Sequence, residues 1–146
     1  MKSLSLTAEY ANQCFCYDQA TGVLTWRSRP RNHFSTERGW NCFNAQRAGK
    51  AVTSVNRNGY VSVGINGVNY LAHRIVWLMT TGFWPENDID HINGIRDDNR
   101  MSNIRAVDRS TNARNVKRRR TNNSGVTGVS WVTRDKLWLV QTAGNS

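Results

Sequence analysis

The stretch that decides the fold runs from Ile89 to Asn115 and reads IDHINGIRDDNRMSNIRAVDRSTNARN. Its apolar and turn residues predict a strand that ends at Asp90-His91, a loop, and a return strand over Asn103–Val107. Asp108 is a good N-cap residue, so a helix is expected from there to about Val116. The stretch therefore predicts a strand, loop, strand and helix in direct succession.

That arrangement brings chemically useful side chains together. Asn103 follows His91 by twelve residues, and Asn112 follows Asn103 by nine. Carboxylate and amide oxygens are hard ligands, so Asp90 and Asn112 suit one Mg²⁺ or Mn²⁺ ion. A neutral imidazole beside such an ion can take a proton from water. The structural alternative makes His91, Asn103 and Asn112 turn or capping residues, and Asn115 is an alternative ligand to Asn112.

Charge identifies the class of partner. Twenty Lys and Arg against ten Asp and Glu give a net charge of +10, which favours a polyanion such as nucleic acid or an acidic membrane surface. The balance is +5 over residues 1–60, −2 over 61–100 and +7 over 101–146. The acidic island comprises Glu86, Asp88, Asp90, Asp97 and Asp98. Phosphate would be repelled there unless a divalent cation intervenes, although Glu86 and Asp88 are better explained as turn residues.

Several classes of protein are excluded. No apolar run reaches eighteen residues, which argues against a transmembrane helix, and residues 1–10 lack the apolar core of a signal peptide. The three cysteines contain no C-x-x-C pair, which argues against a zinc ribbon and a disulfide framework. We expect Cys14, Cys16 and Cys42 to be free thiols.

Periodicity and turn residues predict the other elements. A helix is expected within Leu4–Phe15 with Thr7 as its N-cap, whereas Arg27–Lys50 shows no period and is predicted to be irregular. Asn66-Gly67 between two β-rich runs predicts a two-residue hairpin turn. The remaining predictions are a hairpin around residues 18–22, a helix over His73–Thr81 that ends at Gly82, and strands within Val126–Val132 and Leu137–Thr142.

The chain resembles the HNH endonucleases, in particular their phage and homing-endonuclease branch. The resemblance rests on AHRIVW at 72–77, GFWP at 82–85, IDHING at 89–94, DNR at 98–100, SNIR at 102–105 and NARN at 112–115, with support from residues 17–26 and 58–60. It implies an α+β fold in which a β-hairpin-rich N-terminal part precedes a ββα-metal (His-Me finger) nuclease core and a short C-terminal β-ribbon.

The resemblance also implies roles. His91 would be the general base, and Asn103 would orient the loop and the base by hydrogen bonds. Asp90 and Asn112 would hold one divalent cation, Mg²⁺ or Mn²⁺, that contacts the scissile phosphate and the 3′-oxygen. Many members have His where this chain has Asn112, and an amide binds metal more weakly, so we expect weak metal affinity rather than tight zinc retention.

A basic arm follows the motif, and we expect it to contact DNA phosphates rather than to be only a solvated charge run. Its candidate residues are Arg105, Arg109, Arg114, Lys117, Arg118, Arg119 and Arg120. Secondary candidates are His73, which is better explained as structural than as a phosphate contact, together with Arg74 and Asn115. Residues 123–131 with Leu137-Trp138 resemble the opening strands of the DNA-binding domain of plant ethylene-response factors.

These observations predict four regions: an N-terminal β-rich part (1–72), the nuclease core (73–116), a basic linker (117–124) and partial DNA-binding strands (125–146). The expected function is a metal-dependent endonuclease that acts as a monomer on double-stranded DNA, nicking it, with no membrane partner. We expect it in the cytoplasm of a bacterial or phage-infected cell. The alternatives are a non-catalytic, sequence-specific DNA-binding protein and an RNA-binding protein, although the latter lacks a sheet-borne aromatic motif.

Overall fold

The structure is a computed structural model that describes residues 6–108, 129–132 and 137–140. The chain divides into two units, Met1–Arg109 and Ser110–Ser146. The described part of the first unit contains α1 (Ala8–Cys14), β1 (Phe15–Tyr17), β2 (Leu24–Trp26), α2 (Glu37–Arg47), β3 (Ser62–Ile65), β4 (Val68–Leu71), α3 (Ala72–Thr81), β5 (Asp88–His91) and β6 (Ile104–Val107). The second contains β7 (Val129–Val132) and β8 (Leu137–Val140).

All the described strands pair in antiparallel twos: β1 with β2, β3 with β4, β5 with β6, and β7 with β8. Helices and small antiparallel sheets together agree with the predicted α+β class. The predicted C-terminal strands are confirmed as the β7–β8 pair. The predicted helix from Asp108 to Val116 lies outside the described residues, as does the basic linker. Within the described ranges, no helix is long and apolar enough to cross a membrane.

The N-terminal helix and hairpin are confirmed. Thr7 caps α1, and its hydroxyl accepts a hydrogen bond from the Tyr10 amide at 3.2 Å. In the β1–β2 turn, the Asp18 carboxylate accepts from the Ala20 amide at 3.0 Å and from the Thr21 hydroxyl at 2.7 Å. These hydrogen bonds satisfy polar groups of a short turn and hold its shape.

The β3–β4 hairpin and α3 are also confirmed. Asn66 and Gly67 both have positive φ, at 51° and 80°, as a two-residue hairpin turn requires. Helix α3 ends at Gly82, which adopts the left-handed conformation. Its buried residues Ile75, Val76 and Leu78 pack in the main core, against α1 and the inner sides of the hairpins.

The prediction that Arg27–Lys50 is irregular is wrong, because α2 lies inside it after a short 3₁₀ turn at Arg31–His33. Helix α2 has no buried residue, so it shows little hydrophobic period. The Phe43 ring packs edge-on against Trp26, with 5.1 Å between the ring centroids, and polar contacts attach the helix to the main chain of Arg29. Trp40 Nε1 donates to Arg29 O at 2.8 Å, and the Asn44 amide group bonds both Arg29 N, at 2.8 Å, and Arg29 O, at 3.0 Å.

The Arg29 side chain is buried among uncharged groups. Its Nη2 donates to the Tyr10 hydroxyl at 2.7 Å and to Asn66 Oδ1 at 3.1 Å. Its guanidinium also lies over the Phe34 and Phe43 rings, at 4.8 and 5.0 Å from their centroids. This one side chain therefore joins α1, the 3₁₀ turn, α2 and the β3–β4 turn.

We predict that Arg29→Ala lowers the free energy of unfolding by about 2–4 kcal/mol, because it removes the packing and the hydrogen bonds of a buried guanidinium. Arg29→Lys should recover little of this loss, since an ammonium has no planar fork and stacks poorly. Urea unfolding measures both. Exposed Arg38 provides the control, and equal effects of Arg29→Ala and Arg38→Ala would contradict the assignment.

Candidate active site

The candidate site is built around His91, the last residue of β5. Burial alternates along this strand, so Ile89 and His91 face inward while Asp88 and Asp90 face outward. His91 is 5% exposed, and its Nε2 lies 3.0 Å from Asn99 Oδ1. An amide oxygen only accepts, so this contact requires the tautomer in which Nε2–H donates and Nδ1 carries the lone pair.

Two aromatic side chains from earlier in the chain form the surroundings of His91. The His73 ring, in the first turn of α3, lies 5.1 Å from the His91 ring in an edge-on arrangement. The Tyr60 ring lies 5.9 Å from His91 and 5.3 Å from His73, measured between centroids. Arg96 stacks on Tyr60 at 5.1 Å, which connects the β5–β6 loop to the segment before β3. The imidazole is therefore held by ring contacts as well as by Asn99.

Asn103 closes the loop between β5 and β6. Its Oδ1 accepts from the Asn93 amide at 3.0 Å, and its Nδ2 donates to Asp98 O at 2.8 Å. The Ile92 amide donates to Asn103 O at 2.8 Å. Asn103 was expected to orient both the loop and the base. In the structure the hydrogen bonds of Asn103 hold the loop, and the side chain that bonds the imidazole is Asn99, which accepts from His91 Nε2.

An ion pair stiffens the same loop. Arg100 contacts Asp98 through two hydrogen bonds, at 2.8 Å from Nε and 2.6 Å from Nη2. Asn93 Nδ2 adds a third to the Asp98 carboxylate at 2.8 Å. The Arg100 side chain, followed by Asn93, holds the pKa of Asp98 well below its usual range. Asp98 is therefore a loop-forming carboxylate in this structure.

Asp90 lies on the outer face of β5, opposite Arg105 on β6. The Arg105 guanidinium donates to Asp90 Oδ2 at 2.9 Å from Nη2 and 3.3 Å from Nε. A partly exposed carboxylate supplies the oxygen ligands that Mg²⁺ or Mn²⁺ prefers, and an ion bound at Oδ2 would take the place of the Arg105 guanidinium there. Within residues 6–108, 129–132 and 137–140, no cluster of three or more His, Cys, Asp or Glu side chains could hold a metal ion. Among the described residues, Asp90 is the carboxylate that the sequence predicted as a ligand.

Comparison with protein families identifies the segment that carries these residues. Residues 70–114 match the HNH endonuclease family. This HNH segment includes the end of β4, all of α3, β5 and β6, and the positions of Asp90, His91, Asn103 and Asn112, and it indicates a nuclease of the HNH type. A search of curated proteins and a search of solved structures each found no match.

The structure locates only some of the other candidates. Arg74 is half-buried, where its Nη2 donates to Pro85 O at 3.3 Å and its guanidinium lies 6.0 Å from the Trp84 ring centroid. The candidates that lie outside the described residues are Asn112, Asn115, Arg109, Arg114, Lys117, Arg118, Arg119 and Arg120.

Sequence reasoning missed Asn99 and Tyr60 as neighbours of His91. Asn99 is one of several asparagines in the HNH segment, and its spacing from His91 did not distinguish it. Tyr60 precedes the HNH segment, and only the tertiary structure brings its ring to His91. The surroundings of His91 therefore depend on tertiary contacts.

Burial makes His73 a poor proton acceptor. Desolvation, followed by the nearby His91 and Arg74, lowers the pKa of His73 from 6.5 to about 4. Its Nδ1 is buried and has no hydrogen-bond partner among the described residues. At neutral pH, His73 is therefore a neutral ring that packs behind His91, in agreement with the structural role expected for it.

We predict that His73 makes the stability of the fold depend on pH. The folded protein resists protonation of His73, so its contribution is complete above pH 6.5 and is lost as pH falls toward about 4. At about 1.4 kcal/mol per pKa unit, the loss reaches about 3 kcal/mol. His73→Phe keeps a ring and removes the titrating group. Urea unfolding at several pH values should show a shallower decline for this variant, and an unchanged decline would contradict the prediction.

Proposed function

We propose that this protein is a metal-dependent DNA endonuclease that hydrolyses phosphodiester bonds, with His91 as the general base. The observation that carries the proposal is the hydrogen bond from His91 Nε2 to Asn99 Oδ1 at 3.0 Å. It assigns the ring proton to Nε2 and leaves Nδ1 to accept a proton from water. The match of residues 70–114 to the HNH endonucleases supports the same chemistry.

In the proposed reaction, His91 Nδ1 takes a proton from a water molecule. The water oxygen forms the new bond to phosphorus, the bond from phosphorus to the 3′-oxygen breaks, and the leaving 3′-oxygen takes a proton from solvent water. Asn99 keeps the imidazole in the required tautomer and orientation. Asn103 and the pair of Asp98 with Arg100 hold the loop on which Asn99 lies.

Asp90 and Asn112 are the proposed ligands of one divalent cation, Mg²⁺ or Mn²⁺, with Asn115 as the alternative to Asn112. When bound, the cation would stabilise negative charge on the phosphate and on the leaving oxygen. Arg105 already provides a positive charge at Asp90. An oxygen-only ligand set favours these ions over zinc.

We further propose that the basic residues bind DNA phosphates and that a monomer nicks double-stranded DNA. The proposed phosphate-binding residues are Arg105, Arg109, Arg114, Lys117, Arg118, Arg119 and Arg120. The proposed regions are a nuclease core at 73–116 after the β-rich part at 1–72, a basic linker at 117–124, and DNA-binding strands at 125–146. Membership of the phage or homing branch belongs to the same proposal.

Cleavage of supercoiled plasmid DNA tests the function. With Mg²⁺ or Mn²⁺ the protein should convert supercoiled plasmid to the nicked form, and EDTA should stop the conversion. His91→Ala should cut at least about 100-fold more slowly, because general-base catalysis is worth about 10²–10⁴-fold. It should still shift duplex DNA in a gel.

His33→Gln is the matched control, since His33 lies in the 3₁₀ turn and contacts Tyr10, Gln13 and Arg29. It should cut at the wild-type rate. Equal cutting by His91→Ala would reject His91 as the base. If the protein binds DNA equally with and without EDTA and cuts none of it, the result would instead identify a non-catalytic DNA-binding protein.

A further inference from the structure

The end of β1 contacts the loop that carries Asn99. The Tyr17 hydroxyl donates to Asn99 O at 3.0 Å and accepts from the Met101 amide at 3.0 Å. More than eighty residues separate these partners in sequence. Burial raises the pKa of Tyr17, so at neutral pH the hydroxyl keeps the proton that it donates. Tyr17 therefore joins main-chain groups on both sides of Arg100.

Gly22, in the β1–β2 turn, packs closely against the main chain of Asn99 and Arg100. Its φ is +77°, and a Cβ atom there would lie 2.5 Å from Arg100 N and 2.8 Å from Asn99 C. Those distances are too short for any side chain, and the atoms they meet are main chain. The turn backbone thus packs directly on the Asn99–Arg100 peptide, and only glycine permits this approach.

These two contacts act at the residue that orients His91. Asn99 is 3% exposed and lies outside regular secondary structure, so no strand ladder or helix fixes its position. Within the described residues, its carbonyl accepts from Tyr17, and its side chain bonds His91 Nε2. A movement of the Asn99 main chain would therefore move the hydrogen bond to the imidazole.

We propose that the β1–β2 hairpin is part of the candidate nuclease site, with Tyr17 and Gly22 as positioning residues that hold Asn99 against His91; this inference rests on the proposed function. The hairpin precedes the HNH segment at 70–114 and would not touch the reacting atoms. Its contribution is the placement of the Asn99 main chain. The nuclease site then includes residues from outside the matched segment.

Tyr17→Phe tests the proposal, because it removes one hydroxyl and leaves the ring. We expect the NMR resonances of the His91 ring and the Asn99 side-chain amide to shift. We also expect the single-turnover cleavage rate to fall about tenfold while the affinity for DNA is unchanged, because small displacements of a catalytic group are costly.

Tyr10→Phe is the matched control. The Tyr10 hydroxyl likewise makes two hydrogen bonds, accepting from Arg29 Nη2 at 2.7 Å and from Asn66 Nδ2 at 2.9 Å. Its removal should lower the melting temperature and leave the His91 and Asn99 resonances and the cleavage rate unchanged. The comparison separates loss of stability from loss of positioning.

A glycine pair gives a second test. Gly22 and Gly67 both lie in hairpin turns with similar φ, +77° and +80°, but nothing lies within 4 Å of a Cβ at Gly67. Both substitutions by alanine carry the same backbone strain. Only Gly22→Ala should shift the His91 resonances and slow cleavage.

The outcomes separate this inference from the proposed function. The inference is overturned if the His91 and Asn99 resonances are unchanged in Tyr17→Phe. It is also overturned if Gly22→Ala and Gly67→Ala shift the His91 resonances equally. Both results count whether or not the protein cuts DNA. If the wild-type protein cuts nothing, the proposed function fails. His91 and Asn99 resonances that shift in Tyr17→Phe but not in Tyr10→Phe would then still support the positioning role of Tyr17.

Discussion

The hydrogen bond between His91 Nε2 and Asn99 Oδ1 is the interaction on which the candidate site depends. It joins the end of β5 to a loop residue that no secondary structure holds, and it decides which imidazole nitrogen can accept a proton. The loop must therefore be rigid for the site to work. Asn103 spans it with side-chain hydrogen bonds, and the pair of Asp98 with Arg100 tightens it.

The rest of the first unit supplies the surroundings of this bond. Helix α3 brings the neutral His73 ring behind His91, and the segment before β3 brings Tyr60. The buried Arg29 guanidinium joins the outlying helix and turns through hydrogen bonds to uncharged acceptors and through contacts with ring faces. The His91 imidazole is thus set in a framework drawn from most of residues 6–108, although the family match covers only 70–114.

Local signals predicted much of this fold. Asn66-Gly67 specified its hairpin and Gly82 ended α3, because positive φ is a property of a few residue types. Helix α2 was missed, since it is attached by hydrogen bonds to the Arg29 main chain and presents no buried apolar stripe. Adjacent Asp90 and His91 marked the candidate site. Local signals could not identify Tyr17, because its contact joins residues far apart in the chain. They could not identify Asn99 either, because it is one of several nearby asparagines and only the structure shows which one bonds His91.

The most direct test of the central claim is the tautomer of His91 in the free protein, read from the ¹⁵N shifts of its two ring nitrogens above pH 8, where imidazoles are neutral. The account predicts a proton on Nε2, an unprotonated Nδ1, and loss of this preference in Asn99→Ala. A proton on Nδ1, or two averaged nitrogens in the wild-type protein, would contradict the claim that Asn99 prepares His91 as the base.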